Sequence, residues 1–132
     1  MEQGDYPETF YRVSIKARVT DDQGRILVVR ENENYFELPG GGMDHGETVH
    51  SCLKREMNEE LAYVGEFTEK FKEIITFYLP ERNAWKMNVI YDVKLGDDAD
   101  PTAGRDARNV TWATEYELEK MRADNGIVVF QD

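Results

Sequence analysis

Three consecutive glycines, Gly40, Gly41 and Gly42, stand ahead of a helical segment whose apolar stripe is interrupted by carboxylates. No other part of the chain limits the possible folds so strongly. Stepping about 100° per residue from Val49 places Leu53, Met57 and Leu61 within roughly 120° of it, an ordinary core-facing stripe. Glu60 and Glu56 fall about 20° to either side of Val49, and Glu59 lies beside Cys52. Carboxylates on a face that must be buried are costly unless compensated. Crowded together, they also raise one another's proton affinity. A divalent cation relieves both problems. Magnesium favours carboxylate oxygens, keeps several waters and bridges to substrate phosphates. The plainer reading is a solvated charged face, with Lys54 and Arg55 as ion-pair partners. It leaves the acids at core positions unexplained. Glycines adopt conformations closed to other residues and let a ligand approach the backbone closely, so the loop and the helix together point to a phosphate-handling metal site.

The chain of 132 residues suits one domain, spanning 1–132, and is long enough to bury a core. Its hydrophobic fraction of 40% and charged fraction of 33% are those of an ordinary soluble protein. No apolar run approaches the roughly 18–20 residues needed to cross a bilayer, so no membrane partner is expected. The polar, acidic start of the chain does not read as a secretory signal. The single cysteine, Cys52, excludes an internal disulfide and a cysteine-based zinc cluster. A cytoplasmic location is expected. The net charge of −11 argues against polymeric nucleic acid as a partner, because such binding needs a cationic surface. Phosphate handling would then rely on a few local cations or a metal ion.

Residues 11–20 alternate in strand fashion through Val13, Ile15, Ala17 and Val19. A turn at 21–24 precedes a second strand at 25–30, and a turn at 31–34 precedes a short strand at 35–38. Residues 39–42 are expected to break regular structure. Asp44 is the expected N-cap of the helix, with Glu47 completing a capping box and the helix reaching Leu61 or Ala62. Strands are expected at 72–79 and 85–95 around a turn at 80–83. An acidic loop at 96–104, an extended segment at 107–114, a short helix at 115–122 and an apolar tail at 126–130 complete the chain. Many strands with two separated helices indicate a mixed α/β sandwich.

Gly41, Glu47, Arg55-Glu56 and Glu59-Glu60, with their spacings, closely resemble the Nudix box. Met57 occupies its aliphatic position, and Leu38-Pro39-Gly40 also looks like the family. One departure is Ala62, which stands where the family usually has glycine. The resemblance implies the Nudix fold, a mixed β-sheet in an α/β/α sandwich. It also implies a hydrolase that directs water at a phosphorus of a diphosphate linkage in a small nucleotide-like substrate. Mg2+ would be the cofactor, with Mn2+ able to substitute. Glu56, Glu59, Glu60 and the Gly41 carbonyl would bind metal, and Arg55 and Glu47 would brace the loop against the helix. The general base would be Glu59 or a loop acid, for which Asp106 is the leading candidate and Asp98 and Asp100 are alternatives.

Arg30, at a strand end, is a candidate phosphate partner. Phe36 or Tyr35, and Trp85, are candidates for stacking on a base, although aromatics at strand positions are more often core. His45 and His50 lack other His or Cys residues at ligand spacing and read as exposed residues near the helix start, with a role for His45 near a substrate as the lesser alternative. Two rivals remain: a non-catalytic nucleotide-binding sensor, which would usually lose box acids, and an interaction domain whose acidic helix meets a basic partner. The chain could be a monomer or a homodimer.

Overall fold

The computed structural model describes residues 10–30 and 36–125, with the side chains of 121–125 left out. Tyr35, the turn at 31–34 and the tail at 126–130 lie outside the described residues. The elements in chain order are β1 (Tyr11–Val19), β2 (Ile26–Arg30), β3 (Gly40–Gly42), α1 (Val49–Leu61), β4 (Phe67–Leu79), a 3-10 turn (Pro80–Arg82), β5 (Ala84–Leu95), β6 (Asn109–Ala113) and α2 (Glu115–Asn125). Four strands form a mixed sheet in the order β3-β1-β5-β4, and β2 pairs with β6 in a second sheet. β1 and β5 run parallel, whereas β3 and β4 lie antiparallel to their neighbours.

The alternation of β1 decides the layering. Ile15, Ala17 and Val19 join Cys52, Leu53, Met57 and Leu61 of α1 in one core. β2 is buried on both faces: Leu27 and Val29 belong to the α1 core, and Ile26 and Val28 to a second core with Ile90, Ala113 and Leu118 of α2. A run of four buried residues is what a strand between two helical layers requires. The result is the expected α/β/α arrangement.

Several boundaries differ from the sequence expectation, each for a local reason. The glycine run does not break regular structure; it is β3, paired with β1 through Ser14↔Gly42, Ile15↔Gly41 and Lys16↔Gly40. A side chain there is excluded: a Cβ at Gly40 would lie 2.1 Å from the Ile15 carbonyl oxygen, at a φ of +129°. The strand expected at 35–38 is reduced to one bridge, Val29↔Glu37. Helix α1 starts later than Asp44. Its N-cap is Thr48, whose hydroxyl accepts from the Ser51 N–H while the Ser51 hydroxyl takes the Thr48 N–H. Asp44 and Glu47 instead close a turn, with the Glu47 N–H on the Asp44 carbonyl at 3.1 Å. β4 begins at Phe67 rather than 72, carries a bulge between Phe71 and Glu73, and bears many charged residues. As the edge of the sheet it is solvated, which hid its alternation. Helix α2 runs to Asn125, opened by a Thr114–Glu117 capping pair.

Ala62 ends α1 by taking the left-handed conformation itself, at φ +51° and ψ +32°. That conformation costs a non-glycine residue about 1–2 kcal/mol. A glycine there is expected to recover about 0.5–1 kcal/mol, after its greater freedom in the unfolded chain offsets part of the gain. Urea unfolding of Ala62→Gly should therefore shift the midpoint upward at unchanged slope; a fall in stability would show that the Ala62 methyl has a packing role.

Candidate functional site

Arg55, halfway along α1, organises the site. Its Nε and Nη2 donate to the two Glu47 oxygens at 2.9 Å each, and Nη2 also reaches the Gly42 carbonyl at 2.9 Å. Nη1 donates to Glu56 at 2.9 Å and to Glu59 at 3.4 Å. One planar guanidinium thus ties the end of β3, the loop before the helix and two helix acids together. The loop is closed further by the Asp44 N–H donating to Glu47 at 2.7 Å. Hydrogen bonds from Arg55 and from the Asp44 backbone hold the Glu47 carboxyl down at about pKa 2. The same Glu47 pairing pushes the Arg55 pKa up, so the guanidinium stays charged.

The wheel placed Glu56 and Glu60 among core residues, and both are buried, at 8% and 1% exposure. Glu60 accepts the Gly40 N–H at 2.6 Å, locking β3 to the helix. The Glu56 carboxylate fills the space beside Gly41, where an added Cβ would sit 2.6 Å from its oxygen. Burial pushes the Glu56 pKa up, with the Glu59 charge adding to it and Arg55 and Lys16 opposing. Glu59 is more accessible, with a side chain 19% exposed and a second contact from Arg105 at 3.4 Å.

No group of three His, Cys, Asp or Glu side chains already stands at metal-holding distance among the described residues. Magnesium, however, is commonly held by one or two carboxylates, with waters and phosphates completing its shell. Glu56 and Glu59 converge on a single Arg55 nitrogen, which is the oxygen-only pair such an ion takes. The residues present fit the ion.

The loop after β5 reaches the site through its backbone. The N–H groups of Thr102, Gly104 and Asp106 donate to the carbonyls of Leu61, Glu60 and Glu59 at 3.0, 2.9 and 3.0 Å. These are last-turn carbonyls that a helix end leaves without intrahelical partners. Gly104 must come close, since a Cβ there would lie 2.3 Å from the Glu59 carbonyl oxygen. Asp106 is thereby brought next to Glu59 and is exposed, while Asp98 and Asp100 are exposed farther back in the loop.

The substrate candidates fall in two places, Arg30 with Phe36 and Trp85 apart from them. Arg30 bonds to the Asn109 side chain and lies over the Phe36 ring at 5.4 Å. Trp85 packs with Tyr11 and Tyr78 and is 47% exposed. It points to the opposite side of β5 from its neighbour Lys86. His45 lines a cleft along β3, whereas His50 stacks on Phe67 and contacts Glu69 at 2.9 Å. Cys52 is buried, and burial pushes its thiol up to about 11, which makes it a packing residue. Two features escaped the sequence reading. One is the backbone capping by residues 102–106, which has no side-chain signature. The other is a cluster of Arg12, Lys16, Arg82 and Lys86 around the His45 cleft, brought together from separate strands and a turn.

Comparison with known proteins agrees with this fold. The family model of the NUDIX domain matches residues 10–130. An RNA pyrophosphohydrolase of Wolbachia pipientis is 31% identical over 77 residues, covering 56% of this chain and 48% of that protein. An 8-oxo-dGTP diphosphatase of Haemophilus influenzae is 27% identical over 114 residues, 76% of this chain and 74% of the relative. The chain spans about half or less of the length of the first curated relatives it matches. Among solved structures, a NUDIX hydrolase from Nitrosomonas europaea superposes with a TM-score of 0.71 at 18% identity, over 86% of this chain and 79% of that one.

The Glu47–Arg55 pairing yields a pH prediction. The folded pKa of Glu47, about 2, lies below its ordinary value of 4.5. Its contribution to stability is therefore full above 4.5 and lost as pH falls towards 2. Glu47→Gln should be less stable than the parent at neutral pH, and the difference should shrink through that window. Unfolding curves at a series of acidic pH values test this; a constant difference would refute the linkage.

Proposed function

The chain belongs to the NUDIX-domain family, and on that footing we propose that it hydrolyses a diphosphate linkage in a small nucleoside-diphosphate-linked substrate, with Mg2+ bound and Mn2+ able to replace it. The observation that carries the reading is the convergence of Glu56 and Glu59 beside a glycine strand, on a helix whose entry loop Arg55 clamps. Glu56 and Glu59 would hold the cation, with Glu60 and the Gly41 carbonyl as further donors. A bound cation supplies neutralisation of the charge developing on the phosphorus oxygens and a lowered pKa for the attacking water.

The chain's own residues do the rest. Glu59, the most accessible of the three helix acids, accepts the proton of the attacking water at a carboxylate oxygen. Arg55 holds Glu47 and the Gly42 carbonyl, so the loop and the acids keep one spacing. Asp106, exposed beside the Glu59 backbone, is the second candidate for the proton. An RNA pyrophosphohydrolase and an 8-oxo-dGTP diphosphatase among the relatives support a nucleoside triphosphate or a modified nucleotide as substrate. No helix among the described residues is long and apolar enough to cross a membrane.

A panel of diphosphate-linked nucleosides, assayed for phosphate release with Mg2+, Mn2+ or EDTA, tests the reading. Turnover should require the metal and fall at least ~100-fold in Glu59→Gln, the scale of losing an acid–base or metal group. Asp106→Asn should lose less than ~10-fold; the reverse order would transfer the base role to Asp106. Ligand binding without turnover on any substrate would instead support a non-catalytic sensor.

A further inference from the structure

The face of the four-stranded sheet turned away from Glu56 carries an unusual charge arrangement. Along β1, Arg12, Ser14 and Lys16 share that face, and Arg12 and Ser14 are in register with Lys86 and Asn88 of β5. Arg12, Ser14, Lys16, Lys86, Arg82 and Gly40–Gly42 line a cleft of about 440 Å3. Among the described lining residues its cations face a single acid, Glu37, which pairs with Lys16 at 2.8 Å. Arg12, Arg82 and Lys86 take part in no ion pair among the described residues.

This matters because the chain as a whole is strongly acidic, with 27 Asp and Glu against 16 Lys and Arg. Yet Arg12, Arg82 and Lys86 gather here, where Glu37 is the one acidic residue among the described lining residues and is paired with Lys16. Like charges held this close oppose folding unless an anion joins them. The half-buried Lys86 shows the strain: burial lowers its pKa first, then repulsion from Lys16, Arg12 and Arg82, with Glu37 opposing. The lining is also wrong for a nucleobase. Sites for flat apolar groups are walled mainly by apolar and aromatic side chains. Here Phe10 and His45 are the aromatic rings among the described lining residues, and Ser14 and Lys16, each 4% exposed, form a polar floor.

We propose that this cleft binds a phosphorylated group of the substrate beyond the scissile linkage, with Lys86, Arg12 and Arg82 as the residues that select for it. The assignment rests on the hydrolytic reading above and names the substrate class of that site: an oligophosphate, or a compound bearing a further phosphate. Position supports it. Gly40–Gly42 line the cleft, while Gly41 abuts the Glu56 carboxylate, so one edge strand borders both the cleft and the acids. Arginine forks and a lysine ammonium are the groups that recognise phosphate oxygens.

Inorganic tripolyphosphate is a suitable probe, titrated into the full chain in EDTA so that the acids contribute no metal. Calorimetry should show saturable binding, and amide NMR shifts should centre on residues 12–16, 40–42 and 82–86. Lys86→Met combined with Arg82→Gln should weaken binding at least ~10-fold, as expected for loss of charge-assisted contacts. The thermal midpoint of that variant should not fall, because repulsion is relieved. Unchanged affinity in a folded double variant, or shifts centred elsewhere, would overturn the proposal. Tripolyphosphate bound in the cleft of a protein that hydrolyses nothing would sink the hydrolase reading alone. Metal-dependent turnover together with an unresponsive cleft would sink this one alone.

Discussion

The Arg55 guanidinium is the contact on which the geometry of the site depends. Its three nitrogens reach Glu47 twice, the Gly42 carbonyl, Glu56 and Glu59. These groups come from the end of β3, the entry loop and the helix itself, segments that have no backbone ladder in common. A lysine could neutralise part of the charge but could not hold several partners in one plane. The charge balance matters as much as the shape. Burial alone favours the protonated form of Glu56, and the cation beside it is what opposes that tendency.

Close backbone approach is the second constraint. Gly40 meets the Ile15 carbonyl and Gly104 the Glu59 carbonyl at distances no Cβ could tolerate, and at Gly41 a Cβ would displace the Glu56 carboxylate. At Gly40 and Gly41 the edge strand is pressed onto β1 and α1. At Gly104, the loop after β5 closes over the helix end. Backbone donors from residues 102–106 satisfy carbonyls that would otherwise be exposed at that end. The left-handed Ala62 turns the chain away and leaves room for them. Helix end, loop and candidate acids are therefore one mechanical unit, although more than 40 residues separate Glu59 from Arg105 in the chain.

Electrostatically, the molecule divides along β3. Carboxylates of α1 lie on one side of this edge strand and a cationic cleft on the other. An acidic protein repels phosphorylated ligands at long range, so attraction has to be local. Under the proposed function the two poles would supply it in complementary ways: acids suited to a metal ion, and arginine and lysine side chains suited to phosphate oxygens directly.

The amino-acid order alone determined the helix, its core stripe and the anomaly of Glu56 and Glu60 upon it, because a 3.6-residue period is a local property. It determined β1 and β2 for the same reason, through alternation and a short apolar run. It also carried the box spacing that led to the family. Tertiary structure decided the rest. The glycines became a strand because β1 offered an edge, and Glu47, eight residues before Arg55, was held by that arginine rather than serving in the helix cap, which Thr48 and Ser51 form. β4 was masked by its charges because an edge strand need not bury both faces. Of the three candidate substrate contacts, Arg30 and Phe36 end up stacked together, whereas Trp85 packs apart from them with Tyr11 and Tyr78. Arg12 and Lys86 lie far apart along the chain and meet through parallel pairing of β1 with β5. Periodicity reports what a residue faces within its own element. Which elements become neighbours is settled by long-range pairing, and the cleft, the loop cap and the clamp on the acids all arise there.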